Sequence, residues 1–157
     1  MKKMLLVSSF AAIIAGLVLV GGGVWGMAFT YTNVAKENIT TPDDAFVPGV
    51  PVRGPLTLKA QADIMRVHTL RMTEGKTFAE MPRQIPKLDA EGKPILGEDG
   101  NPVMTANTAR DIWITATTLI TALNLGLFAY AFSAVVLLSG IFSIWTGVIF
   151  YALSRKY

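Results

Sequence analysis

The chain has 157 residues, of which 52% are apolar and only 16% are charged, with a mean hydropathy of +0.46. A soluble domain of this length rarely carries so little charge, so the composition favours a membrane protein. The chain has no cysteine, which excludes disulfides, thiolate metal sites and thiol nucleophiles; its single histidine, His68, excludes multi-histidine metal sites and bis-histidine haem ligation within this chain.

The net charge of +3 comes from the two ends of the chain. Four basic residues flank long uncharged runs, whereas the middle of the chain holds ten basic and eleven acidic residues and is close to neutral. Basic residues beside apolar runs are typical of the cytoplasmic flanks of transmembrane helices. The charge therefore indicates topology rather than a nucleic-acid partner, and it predicts that both termini are cytoplasmic. The four residues are Lys2, Lys3, Arg155 and Lys156.

Residues 4–29 are apolar for the most part and contain no charged residue. At about 1.5 Å per residue, a helix of this length crosses a hydrocarbon core of ~30 Å. A cleaved signal peptide is the alternative, since the small residues at 26–28 resemble a cleavage site, but the run is longer than the usual ~7–15 apolar residues of such peptides. We predict a cytoplasmic N-terminus over 1–3 and a transmembrane helix over 4–28.

The segment over 29–105 holds all eight prolines and is predicted to be extracytoplasmic. The stretch best suited to a helix lies over about 57–74 and is followed by Gly75, a residue that commonly ends helices. A capping-box pattern over 77–80 predicts a short second helix. Few large apolar residues occur in this segment, so we expect it to need a neighbour to complete its core.

A short repeat lies within the turn-rich stretch over 89–104. Glycine and proline occupy the same places in both copies, which predicts two turns, each followed by a short extended piece, or a hairpin. The acidic residues of the repeat do not have the spacing of an EF-hand calcium loop, so we interpret them as solvated turn residues. The two copies are Glu91-Gly92-Lys93-Pro94-Ile95-Leu96 and Asp99-Gly100-Asn101-Pro102-Val103-Met104.

Residues 112–154 form a second uncharged run of 43 residues. Two short helices here would give three crossings in total, whereas one long helix that starts outside the membrane gives two. Polar side chains at spacings of four and three favour an amphipathic interfacial helix over 106–125, a transmembrane helix over 127–153 and a cytoplasmic C-terminus over 154–157. The polar positions are Asp111, Thr115, Thr118, Thr121 and Asn124.

Small residues recur at alternating spacings of three and four in both apolar runs. Such residues let helix backbones approach closely inside a membrane, and the mean period of 3.5 residues favours left-handed packing. The stripes could pack on each other, with Gly16 and Gly23 facing Ser133 and Gly140, or on helices of a partner. The predicted helix-packing residues are Ser9, Ala12, Gly16, Gly23 and Gly26 in the first run and Gly126, Ala129, Ser133, Gly140, Ser143 and Gly147 in the second.

The chemical motifs in the chain do not predict a reaction. Glu74-Gly75-Lys76-Thr77 resembles the end of a phosphate-binding loop, but that pattern requires glycine where the chain has Leu70. His68 has no partnered serine for nucleophilic catalysis, so we interpret it as a helix-surface or interface residue. We therefore predict no catalytic, cofactor-binding or metal-binding residues and a protein that is not an enzyme.

Two groups of residues carry a resemblance to a known family. Residues 54–64, with the Ala-Gln-Ala pattern, are followed by His68, Thr73 and the Gly-Lys-Thr-Phe-Ala-Glu pattern of residues 75–80. Together with the glycine-rich first and last helices, they resemble a family of small two-span actinobacterial membrane proteins. The resemblance covers 4–81 and 106–153, and the stretch over 83–104 looks like an insertion.

Some relatives carry the label of an aromatic ring-opening dioxygenase, which we reject because the iron of such an enzyme needs histidine and carboxylate ligands that one histidine cannot supply. The chain is also similar to the association factors of actinobacterial cytochrome bc–oxidase supercomplexes. This resemblance implies a non-catalytic accessory subunit without cofactors, bound to integral membrane subunits and lipids but not to nucleic acid or a small-molecule substrate. The alternative is a homo-oligomeric small channel or transporter-like protein.

Overall fold

The computed structural model describes residues 1–156 and is mainly helical, with one two-stranded sheet. Three α-helices and two short strands are joined by loops and by one turn of 3₁₀-helix. Tyr157, the last residue of the predicted C-terminal segment, lies outside the described residues. In chain order the elements are α1 (Lys2–Lys36), α2 (Pro55–Met72), the 3₁₀ turn (Phe78–Glu80), β1 (Gln84–Pro86), β2 (Met104–Ala106) and α3 (Thr108–Lys156).

The first and last helices are long and pack against each other in antiparallel orientation. With 35 and 49 residues, α1 and α3 are about 52 and 74 Å long. Both are long and apolar enough to cross a membrane. Helix α1 begins at Lys2, within the predicted 1–3 segment, and continues eight residues beyond the predicted end at 28. Its last turns still have a packing partner, because Val34 packs against the apolar cluster that includes Leu58 and Leu123.

Helix α3 is one continuous helix that covers both the predicted interfacial helix over 106–125, from Thr108 onwards, and the predicted transmembrane helix over 127–153. No proline interrupts it, and Gly126, at the predicted boundary, lies inside the helix. A methyl group placed on Gly126 would lie within 4 Å of both Leu58 and Val34. The helix continues there because neighbouring elements pack directly against its backbone.

Helix α2 follows α1 along the same side of α3. Leu58, near the start of α2, lies beside Gly126, while Arg66, farther along α2, stacks its guanidinium carbon 5.9 Å from the centre of the Trp113 ring. The small core lies where the three helices and the loop 37–54 meet. Its buried residues are Val52, Leu58, Ala62 and Leu123.

The bounds of α2 differ by two residues from the predicted 57–74. The helix begins at Pro55, which is suited to the first helical position because its missing N–H needs no partner there. It ends at Met72, and the Gly75 N–H then donates to the Leu70 carbonyl at 2.7 Å. Gly75 adopts a φ of +77°, a left-handed conformation that closes the helix end.

Residues 84–106 form a compact β structure, here called the β head, where the sequence predicts turns with extended pieces or a hairpin. Strands β1 and β2 pair in antiparallel register and form its base. Beyond them, backbone bridges join Leu88 to Pro94 and Leu96 to Pro102. The segment over 29–105 therefore contains a two-stranded antiparallel sheet besides its helix and turns.

The β head closes on itself through three backbone hydrogen bonds. The N–H of Ile95 donates to the carbonyl of Lys87, that of Val103 to Ile95, and that of Lys87 to Val103, at 2.7–2.8 Å. These residues are eight positions apart, which is the period of the sequence repeat. The head thus holds three equivalent units, and the first of them, Ile85-Pro86-Lys87-Leu88, is a copy that the sequence pattern alone did not predict.

Candidate helix-packing and docking surfaces

Buried small residues form the contact between α1 and α3. They recur every seven residues on each helix, which is the period of left-handed helix packing. The buried positions are Ser9, Gly16, Gly23 and Thr30 on α1 and Ser133, Gly140, Gly147 and Ser154 on α3.

The two backbones touch at the glycines. A methyl group on Gly16 would lie 2.7 Å from the carbonyl oxygen of Gly140, and one on Gly140 would lie 2.7 Å from the backbone nitrogen of Val20. A methyl group on Gly147 would lie 2.9 Å from the carbonyl oxygen of Ser9. These distances are too short for a side chain, so the observed separation of the helices requires glycine at these positions.

Two serine hydroxyls join the helices at the same interface. Ser9 Oγ donates to the carbonyl of Gly147, and Ser143 Oγ donates to the carbonyl of Ala12, both at 2.8 Å. The close approach of the backbones places these carbonyls within reach of the short side chains. The hydrogen bonds set the register of the pair as well as its spacing.

The structure brings most of the predicted packing residues together within the chain itself. Gly16 faces Gly140, while Gly23 faces Leu137 rather than a glycine and Gly26 faces Ser133. Gly126 is placed against Val34 and α2 instead of the glycines of α1, and Ala129 is half-buried. Ala12 and Ser143 are joined by the hydrogen bond given above.

Thr30 and Ser154 are buried in the interface but were not predicted as packing residues. Each lies seven residues beyond a predicted glycine, Gly23 and Gly147 respectively, so the period was the signal that could have identified them. Gly21 and Gly22, in contrast, have open space around them and lie on the outer side of α1.

The β head exposes an apolar face. Side chains alternate along a strand, and residues paired across a bridge share a face, so the proline and the apolar residue of each unit lie on the same side. Leu88, Leu96 and Met104 are 55%, 61% and 48% exposed. The whole face consists of Pro86, Leu88, Pro94, Leu96, Pro102 and Met104, all of them exposed.

Acidic turns connect the units of the β head. Asp89 Oδ1 accepts the backbone N–H groups of Glu91 and Lys93, and Asp99 Oδ1 accepts that of Asn101. The side-chain amide of Asn101 also donates to Asp99, and these hydrogen bonds lower the pKa of that carboxyl below its ordinary value. The Asp99 carboxylate is therefore ionised at neutral pH.

The 3₁₀ turn is held over the start of α3 by an arginine. Arg110 Nη1 donates to the carbonyls of Met81 at 2.5 Å and Phe78 at 3.3 Å, and the guanidinium carbon lies 3.7 Å from the centre of the Phe78 ring. The backbone N–H and the hydroxyl of Thr77 donate to Glu80, which lowers the pKa of the Glu80 carboxyl. These contacts hold the Phe78 ring against Arg110 at the start of α3.

Most of the acidic and basic side chains are exposed, whereas His68 and Arg110 are half-buried. His68 Nε2 donates to the carboxylate of Asp44 at 2.8 Å, and this hydrogen bond lowers the pKa of Asp44. Lys59 pairs with Asp63 along α2, and Lys76 pairs with Glu74. Within residues 1–156 no three histidine, aspartate or glutamate side chains are grouped so that they could hold a metal ion.

Comparison with protein-family models, curated proteins and solved structures finds no match for the chain. The functional interpretation therefore rests on the sequence and the geometry of the chain itself.

Proposed function

We propose that this protein is a non-catalytic accessory subunit of a larger membrane complex. The apolar face of the β head is the observation that carries the proposal. Six exposed apolar residues on one side of a small, closed structure form a surface suited to contact with another protein. In this proposal, one part of the remaining molecule anchors the protein in the membrane, and another part holds the apolar face at a distance from the membrane.

Helices α1 and α3 form the anchor in this proposal. Only 11% of the most apolar window of each helix is buried, so most of that apolar surface faces outward and suits a lipid environment better than water. The antiparallel arrangement brings Lys2 and Lys3 to the same end as Arg155 and Lys156. By the positive-inside rule, both termini are cytoplasmic and the segment from the end of α1 to the start of α3 is extracytoplasmic, at a bacterial plasma membrane.

Helices α2 and α3 form a stalk above the anchor. Helix α3 extends 18 residues from Gly126, which lies beside the end of α1, to its start at Thr108. This length corresponds to about 27 Å. The β head follows directly at the end of the stalk, so its apolar face is presented well outside the membrane.

The partner surface has a definable chemistry. The β head contains four carboxylates and two lysines, so its net charge is negative. A complementary surface is apolar at its centre and carries arginine or lysine around it. The resemblance to actinobacterial association factors supports a cytochrome bc–oxidase supercomplex as the assembly, with this chain contributing contacts and no redox centre.

The test is a pull-down in mild detergent through a tag at the N-terminus. The wild-type protein is expected to recover haem-containing partner subunits, identified by absorbance spectra and mass spectrometry. The Leu88→Asp/Leu96→Asp variant should lose them, while Ala90→Asp, which adds the same type of charge on an adjacent turn, should retain them. Recovery of the protein alone, or of a homo-oligomer that conducts ions in liposomes, would contradict the proposal and favour the channel alternative.

A further inference from the structure

Two cavities join beneath Phe78 along one side of α3. The upper cavity, of about 340 Å³, is lined by Arg83, Arg110 and Asp111 among others, and the lower one, of about 620 Å³, runs down α3 to Leu125. Phe78 and Ile114 line both cavities, so the two form a single groove. We propose that this groove binds an anionic amphiphile, with the headgroup at the two arginines and one acyl chain along α3.

The lower part of the groove suits an acyl chain. Its lining contains no charged side chain, and its polar groups are threonine hydroxyls, one of which, on Thr118, is already bonded to the carbonyl of Ile114. From Arg110 to Leu125 the groove follows fifteen residues of helix, or about 22 Å. The lining residues of this part are Phe78, Trp113, Ile114, Thr117, Thr118, Thr121, Ala122 and Leu125.

The upper part of the groove suits a carboxylate or phosphate headgroup. Within residues 1–156, neither Arg83 nor Arg110 forms an ion pair, and Arg110 uses one of its two terminal nitrogens for the carbonyls of Phe78 and Met81. Asp111 also lines this part, so the two guanidinium groups and one carboxylate leave a single positive charge. One anionic group at the end of a long apolar chain matches this distribution.

The position of the groove identifies a membrane lipid as the occupant. Its lower end at Leu125 is continuous with exposed apolar side chains of the proposed membrane span, beginning at Phe128 and Phe132. A chain can therefore enter from the bilayer without crossing a charged surface. A protein helix is the less suitable occupant, because nothing about an uncharged helix would use the two arginines at the upper end of the groove. The inference rests on the membrane placement in the proposed function.

Trp113 provides the test, because it lines the groove about 25 Å above the level of Tyr130, near the end of the proposed membrane span. The full chain with Trp25→Phe and Trp145→Phe, which leaves Trp113 as the only tryptophan, is placed in phosphatidylcholine nanodiscs. Brominated stearate or brominated phosphatidylglycerol is then added, and quenching of Trp113 is measured. Bromine quenches on contact, so quenching requires a chain to leave the bilayer and occupy the groove.

We expect saturable quenching of Trp113 by one or both anionic lipids and little by brominated phosphatidylcholine. Comparison of the two anionic lipids shows whether a carboxylate or a phosphate headgroup is preferred. Arg83→Gln should raise the half-saturating concentration about fivefold, because a charge-assisted contact is lost. Thr121→Phe should reduce quenching by filling the groove, while Lys93→Gln, a cation outside the groove, should have no effect.

Equal quenching by neutral and anionic lipids, unaffected by Arg83→Gln, would overturn the inference. Absence of Trp113 quenching would also overturn it. A Trp113→Phe/Trp145→Phe variant, which keeps Trp25 in the proposed span, then shows whether the membrane placement is also wrong. Quenching of Trp25 alone would leave the membrane anchor of the proposed function intact. Absence of quenching at Trp25 as well would contradict the membrane placement and therefore both proposals.

Discussion

Glycine residues determine how closely α1 and α3 approach each other. At Gly16 and Gly140 the nearest atoms across the interface include those of the opposite backbone, which cannot move aside as a side chain can. Gly22, six residues farther along α1 than Gly16, is an exposed counterpart, because a methyl group there would have no atom within 4 Å. The requirement for glycine is therefore a property of position and not of residue type.

We predict that Gly140→Leu destabilises the helix pair, whereas Gly22→Leu does not. The buried leucine must push the backbones apart, which costs about 1–3 kcal/mol, and the change also weakens the serine hydrogen bonds beside it. Thermal unfolding in detergent, followed by the fluorescence of Trp25 and Trp145, measures the difference. Equal unfolding temperatures for the two variants would show that the glycine contact does not hold the pair.

A second prediction concerns the contact between Asp44 in the loop and His68 on α2. The hydrogen bond from His68 lowers the pKa of Asp44 from its ordinary value of 3.8, so the folded state favours the ionised carboxylate. Its contribution to stability is therefore present above pH 3.8 and is lost as the pH falls through the lowered pKa. His68→Ala should return the pKa of Asp44 towards 3.8.

Carboxyl-carbon NMR titration of Asp44 in wild-type and His68→Ala protein checks this prediction. Asp99 is the internal control, because its lowered pKa comes from Asn101 and should not change in the variant. A pKa of Asp44 that stays the same without the imidazole would show that the hydrogen bond is not the cause.

At the scale of elements, local patterns predicted α2 and the 3₁₀ turn well. Gly75 and the Thr77–Glu80 pair act through neighbouring backbone groups, so their effect can be read from adjacent residues. The continuation of α1 to Lys36 could not be predicted, because it depends on packing of Val34 against residues far along the chain. Local sequence contains no information about such a contact.

The β head was only partly predictable for the same reason. The two similar copies stand out because each has glycine, proline and two apolar residues, while the first unit has Lys87 where the others have Ile95 and Val103. The first unit is equivalent to the two copies only in its backbone hydrogen bonds. These bonds use N–H and carbonyl groups that any residue other than proline provides, so the side-chain sequence does not reveal them.

Because the ring is closed, we predict that it opens as one unit. Gly100 has a φ of +75°, which a β-branched residue adopts only with strain. Gly100→Val should therefore disturb the second turn and remove hydrogen-exchange protection from the amides of Lys87, Ile95 and Val103 together. Exchange in α2 should stay unchanged, and loss of protection at Val103 alone would show that the units are independent.

At the scale of the whole molecule, the antiparallel helices place the β head on the opposite side of the membrane from both termini in the proposed topology. Glu98→Cys should accordingly react with a membrane-impermeant maleimide in intact cells, whereas Lys156→Cys should react only after the cells are opened. The chain has no native cysteine, so each variant carries a single reactive thiol. Labelling of position 156 with protection of position 98 would reverse the topology.

Because α3 is continuous, its length sets both the height and the orientation of the apolar face of the β head. Only Asn107 separates β2 from α3, so the β head inherits the rise and the rotation of the helix. Each residue of α-helix adds about 1.5 Å of height and about 100° of turn. If α2 and α3 were both lengthened by seven residues, the apolar face would lie about 10 Å higher and would keep nearly the same orientation. If both helices were lengthened by only two residues, the face would point in nearly the opposite direction. The length of α3 therefore determines at what distance from the membrane, and on which side of the molecule, a partner can bind the apolar face.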